Sequence, residues 1–270
     1  MADVRLLELI EAEAWADIFR AAPSALAEKH GIAVLDLGAG TACIVARDVP
    51  SLMLNRVVGL GVGTPATPAM LDLAGEAFGG TRYMIPVAPQ CHPAELRTWL
   101  QGRGFAAGYA WMKFERGPEE PLDVESALDV RQVGPDDAEA FARALIAGYE
   151  MPGWMEPWLA ALVGRPGWSC YLAMHGSEPA GAGCLYLRPP AAWLGLAGTV
   201  PELRRRGAQG AIMAARIREA VAAGCTAIGT ETGERTADRP SASYRNILRL
   251  GFREAYVRPN LVSPADDTAA

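Results

Sequence analysis

The stretch "LAGTVPELRRRGAQGAIMAARI", Leu196 to Ile217, decides how this chain is read. An apolar strand ends at Val200, and Pro201, which has no N–H to give a ladder, stops it. Arg204, Arg205, Arg206 and Gly207 form a turn, and a helix runs from about Ala208 to Ala223 before Gly224. Gly207 lets the backbone approach a ligand where a Cβ would intrude. The first helical amides, those of Ala208, Gln209, Gly210 and Ala211, have no partners of their own. They point toward the turn together with the positive end of the helix dipole. A pyrophosphate fits such a place, and three guanidinium groups add charge-assisted contacts. A basic turn before a helix also occurs as a simply solvated feature, so the surroundings must decide.

Downstream, "CTAIGTET" predicts a strand, Ser241 to Leu250 a helix and "FREAYVR" a final strand. Upstream, a helix is expected over Pro135 to Tyr149. It is followed by the Trp- and Pro-rich "MPGWMEPW" and by three short strands with turns at Gly176-Ser177 and Pro189-Pro190. The order resembles that of the GCN5-related N-acetyltransferase superfamily. Its acetyl-coenzyme A signature, Arg/Gln-x-x-Gly-x-Gly/Ala, follows the fourth strand. Arg204 takes the first position, Gly207 the fourth and Gln209 the sixth, where Gln departs from the usual small residue. The Gly-Phe that closes the last helix, Gly251-Phe252, is also typical of the superfamily.

What the resemblance implies can be stated residue by residue. Acetyl-coenzyme A would be the cosubstrate, held by Arg204 to Arg206 and the amides of Gly207 to Ala211. Thr199 and Val200 would lie along the pantetheine arm, on a bulged strand from Leu196 to Val200, and Asn246 would bond that arm or cap local backbone. The acceptor amine would attack the thioester directly within one ternary complex. Glu231 on the next strand is the candidate base, acting through water, or else an exposed strand-end glutamate. Many relatives carry a tyrosine four residues before the terminal glycine, but Ile247 stands there in this chain. Tyr244, one turn earlier on the same helix, is the candidate acid, or otherwise a packing tyrosine. Trp154, Met155 and Trp158 are candidates for an apolar or cation-binding wall at the acceptor site, or equally for core packing.

The whole chain has 270 residues, half of them apolar, with a net charge of −6 and a pI of about 5.2. Such a surface offers nucleic acid little. Five scattered cysteines and no CxxC suggest reduced, cytoplasmic usage. The three histidines show no metal spacing, so no metal is expected. No segment has the length and apolarity of a membrane span. A cytoplasmic monomer or homodimer acting on a small-molecule or peptide amine is the expectation.

"ERGPEEPLDVESALD", Glu115 to Asp129, is acidic, carries two prolines and has little apolar content. It reads as a linker. The expected domains are 1–117, a linker at 118–129, and 130–270. Gly104-Phe105 with Tyr109 echoes Gly251-Phe252 with Tyr256, each at the end of a helix. The fold class is therefore α/β (α+β): two acetyltransferase-like domains, each a mixed, mostly antiparallel sheet flanked by helices. In the first, "NRVVGLGVGT" leads into a helix near Pro68 to Phe78, with glycines but no arginine. That domain is expected to be a degenerate copy that binds no cofactor.

"AVLDLGAGTA", Ala33 to Ala42, competes with this reading, because an acid before a glycine loop opens many S-adenosylmethionine sites. There a helix follows the loop. Here Cys43-Ile44-Val45 favour a strand, and Pro50 comes before any helix. The stretch predicts a hairpin on the early strands, far from any cofactor loop. Two other functions stay open: a methyltransferase built on Asp36 to Gly40, and a catalytically silent acyl-coenzyme A sensor or scaffold.

Overall fold

A computed structural model describes residues 3–121, 124, 126–235 and 242–265. They form a mixed α/β fold in two compact units, one from the described residues of 3–111 and 256–265, the other from those of 112–255.

The first unit opens with α1 (Val4–Arg20), whose N-cap Asp3 accepts from the Leu6 amide. Leu7, Ile10, Ala14 and Ile18 recur at helical spacing and are all buried. A short α2 (Ser24–His30), not anticipated from sequence, ends at Gly31, where φ is +60°. The strands β1 (Ile32–Gly38) and β2 (Thr41–Ala46) are antiparallel, so the glycine motif is a hairpin. Ala39 and Gly40 at its tip both have positive φ, which suits a tight two-residue turn.

β3 (Arg56–Val58) ends where the chain turns at Gly59, φ +72°. Then come α3 (Pro68–Phe78), β4 (Met84–Pro86), α4 (Leu96–Gly102) and β5 (Ala106–Arg116). β3 and β4 are parallel, with α3 as the crossover that a parallel pair requires. The strand order is β1-β2-β3-β4-β11-β5, where β11 is Arg253–Val262. Cys43, Val57, Leu71, Phe78, Ile85 and Leu100 belong to its core. Arg258 of β11 is buried with Glu8 and Glu11 of α1, 2.6–2.8 Å from their carboxylates.

The second unit has the order β11-β5-β10-β9-β8-β7-β6. Its own strands are β6 (Asp129–Gln132), β7 (Trp168–His175), β8 (Glu178–Arg188), β9 (Ala191–Thr199) and β10 (Ala227–Gly233). Its helices are α5 (Ala138–Tyr149), α6 (Glu156–Ala160), α7 (Ala208–Ala222) and α8 (Ala242–Arg249). Ser241, expected to begin the last helix, lies outside the described residues. β6 to β9 pair antiparallel, and β9 and β10 are parallel across α7. Leu185, Leu194, Met213, Ile217, Ile228 and Ile247 lie in the core. The sequence echo has a structural form in each unit: a helix, a glycine at φ +80° (Gly104) or +82° (Gly251), then a buried Phe opening a strand.

Candidate active site

The site grows from a fault in the second unit's sheet. Parallel pairing of β9 with β10 runs only from Ala191–Ala227 to Trp193–Gly229. Beyond that point side chains replace the ladder. Thr230 donates to the Leu194 carbonyl at 2.8 Å, and the Trp193 indole N–H lies 3.0 Å from Glu231. On the other edge of β9 the register with β8 slips between Ala182–Gly198 and Cys184–Gly195, which is a bulge. Leu196 sits in it at φ +43°, a region branched side chains rarely enter. β9 thus loses its β10 partner and carries a bulge against β8, with which it pairs again at Gly198 and Thr199, within the segment expected to be bulged.

Two interactions hold this bulge. Arg216 of α7 is fully buried, and its Nη1 donates to the carbonyls of Cys184 (2.7 Å) and Gly195 (3.1 Å). Bulges leave such groups without ladder partners, and a buried unpaired carbonyl costs about 1–3 kcal/mol. Desolvation lowers the pKa of Arg216 to about 10, so its charge is held at some cost, and these carbonyls offset it. At the other end, Gly148 of α5 meets Gly198 of β9 backbone to backbone: a Cβ on Gly148 would lie 2.7 Å from the Gly198 Cα. This approach brings the Tyr149 hydroxyl to 3.0 Å from the Ala197 amide.

After β9 the chain makes a single 3₁₀ turn, Pro201–Leu203, and the basic turn follows. Arg205 has φ +65° and Gly207 φ +86°. No side chain caps α7, and its first backbone bond is from the Ala211 amide to the Gly207 carbonyl. The amides ahead of Ala211 therefore face the turn. Arg204, Arg205 and Arg206 are exposed. Arg206 is engaged, with Nη1 2.9 Å from the His175 Nε2. Ala39, Glu150, Leu196 and Arg205 are the non-glycine residues at positive φ among those described. Three of them border this site, which fits the tendency of backbone strain to gather at functional places.

The other expected residues fall as follows. Thr199 closes β9, and the Val200 amide bonds Ala180. The Asn246 amide donates to the Gln209 side chain at 2.7 Å, tying α8 to the start of α7. Glu231 is not an exposed strand end. It is paired with the buried Lys113 at 2.9 Å and is 11% exposed. The buried Tyr244 donates to Glu254 and packs edge-on against Phe114. Desolvation, helped by the bond to Glu254, raises its pKa to about 12. Ile247 is buried in the core. Trp158 is wholly buried and Met155 nearly so; only Trp154, stacked on Trp158 at 6.2 Å, keeps partial exposure.

Sequence reasoning missed Arg216, Lys113 and Tyr149. A charged residue inside the apolar "AIMAARIREA" was a signal for the first. Nothing local marked the other two.

Asp36 stands in β1 and pairs with Arg20 at 2.6 Å. Contrary to expectation, the hairpin is not remote from the first unit's strand–helix loop. A Cβ on Gly63 would lie 1.9 Å from the Ala39 carbonyl oxygen, so the tip rests on that loop. Among the described residues no group of three His, Cys, Asp or Glu is arranged to hold a metal, and no helix is long and apolar enough to cross a membrane.

No protein-family model and no curated protein matches the chain. Solved structures do. A GCN5-related N-acetyltransferase from Kribbella flavida aligns with 100% of this chain and 98% of its own, at 18% identity and a TM-score of 0.63. One from Sphaerobacter thermophilus aligns over 86% and 84%, at 14% identity and a TM-score of 0.58. A tandem protein of the same superfamily from the clavulanic acid biosynthesis pathway aligns over 84% and 79%, at 16% identity and 0.58. The chain has the GCN5-related N-acetyltransferase fold.

Proposed function

We propose that the chain is an acetyl-coenzyme A-dependent N-acetyltransferase that acts on the amino group of a small molecule or peptide. In this reading the unit Met112–Ala255 holds the coenzyme, and the other unit is a related copy that does not. The observation that carries it is the juxtaposition of the bulged end of β9 with the uncapped, arginine-flanked start of α7. The residues present fit a coenzyme A ester. Exposed Arg204 and Arg205 and the open amides suit a pyrophosphate. Thr199 and Val200, next in the chain, suit the arm leading from it.

When bound, the coenzyme supplies an activated acyl group. The chain's own residues do the rest. β9 and α5 bring the acceptor to the acyl group and remove much of the entropic barrier. Glu231, with Lys113 as countercharge, is the candidate to take the amine's proton through water. Tyr244 aims its proton at Glu254, so we assign it to positioning α8. Trp154 is the member of its cluster left to meet an acceptor. A second reading, a silent acyl-coenzyme A binder, draws on Ile247 buried where an acid would stand.

Thermal shift tests the proposal. Acetyl-coenzyme A and coenzyme A at a hundred times their dissociation constants should stabilise the chain by about 2.7 kcal/mol. S-adenosylmethionine should not. Arg204→Ala with Arg205→Ala should cut the shift sharply. Equal shifts in wild type and double variant would remove the basic turn from the site. Coenzyme binding without thiol release on a broad amine panel would favour the silent binder.

A further inference from the structure

We infer that Tyr149 is a catalytic residue whose hydroxyl donates to the acyl carbonyl of the bound thioester; the inference rests on the function proposed above. A bulged strand can polarise a carbonyl with its own amides. Here the Ala197 amide at the bulge already has a partner, because it donates to the Tyr149 oxygen at 3.0 Å. That bond uses a lone pair of the phenol and leaves its O–H proton to point elsewhere. The donor offered at this spot is therefore the hydroxyl, one atom further out than the amide.

The position is built rather than incidental. Gly148 and Gly198 allow the backbone contact that delivers the ring, and neither place has room for a Cβ without a shift. Glu150, the next residue, takes the left-handed cap conformation at φ +56° that ends α5 there. Tyr149 is nevertheless 48% exposed, and so open to a bound molecule. Arg216, which holds the bulge, donates to the Gly195 carbonyl two residues before Ala197.

The test is isotope-edited infrared spectroscopy of acetyl-coenzyme A labelled at the carbonyl carbon, bound to wild type and to Tyr149→Phe. In wild type the carbonyl stretch should fall below its value in free acetyl-coenzyme A. In the variant it should return most of the way, while the thermal shift given by the coenzyme is unchanged. Fluorotyrosine at position 149, a stronger donor, should lower the stretch further. On any amine that wild type acetylates, the variant should lose about 10²-fold in kcat with little change in KM, the usual effect of removing one such donor. An unchanged stretch in a variant that still binds would overturn the inference and leave the proposed function standing. It would mean that the freed Ala197 amide, or another group, polarises the carbonyl. Absence of acetyl-coenzyme A binding in wild type would sink both.

Discussion

Each unit contains a parallel strand pair joined by a crossover helix, and the two crossovers differ at one point. From β9 to α7 the loop carries three arginines, a glycine at φ +86° and no helix cap. From β3 to α3 it carries glycines without a basic residue. Thr67 caps the helix by accepting from the Met70 amide, and Pro68 stands at the first position. The glycines serve opposite ends. Those of the first unit let the chain close on itself: Gly59 abuts the Gly40 carbonyl, Gly61 the His92 carbonyl and Gly63 the Ala39 carbonyl. The His92 amide bonds Gly61, and the Ala66 amide bonds His92. Where one crossover presents open amides, the other has bonded its loop to its own backbone. The same topological position is a mouth in one unit and a seam in the other.

The largest effect should come from forcing the seam apart. Gly63→Ala puts a Cβ 1.9 Å from a carbonyl oxygen, a clash that rigid backbone cannot relieve. It should lower stability to urea by about 3 kcal/mol or more and leave the coenzyme-induced shift intact. Gly207→Ala should do the reverse. Its left-handed φ costs only about 1–2 kcal/mol, but the coenzyme shift should fall sharply. Similar behaviour of the two variants would erase the distinction between seam and mouth.

Next comes the prop under the bulge. Arg216→Met keeps the length of the side chain and leaves the Cys184 and Gly195 carbonyls without their donor. Each orphaned buried acceptor costs about 1–3 kcal/mol, offset in part because a buried charge is also removed. A net loss near 2 kcal/mol in urea unfolding is expected, together with weaker coenzyme binding. The first unit has no counterpart to this guanidinium in its crossover helix α3. If Arg216→Met unfolds like wild type and binds coenzyme as well, the bulge does not depend on it.

Much of this was legible in the residues. Pro201, the arginines and Gly207 mark a strand end, a turn and a helix start by local chemistry alone, and all three lie where expected. Cys43-Ile44-Val45 likewise settled the hairpin against a cofactor loop. Tertiary facts were not legible. Glu231 looks like an exposed strand end until Lys113, 118 positions away, is brought to it. The hairpin tip looks remote until Gly63 is seen to admit its carbonyl. "MPGWMEPW" has the composition of a binding wall and of a core equally, and only burial separates Trp158 from Trp154. The bulge was inferred from resemblance, because Leu196 carries no local mark of a positive φ.

The smallest effect isolates the cap. Thr67→Ala removes the side-chain oxygen that serves the Met70 amide, and a lost N-cap costs about 1 kcal/mol. The amides of α3 would then be as open as those of α7, but with no arginine beside them and with the seam still closed. Urea unfolding should register the loss, and the variant should gain no affinity for inorganic pyrophosphate. That pairing matters because it separates two conditions for an anion site, open amides and room with countercharge. If Thr67→Ala did acquire pyrophosphate binding, the cap alone would have been keeping the first crossover silent, and the glycine seam would not be the reason for its loss.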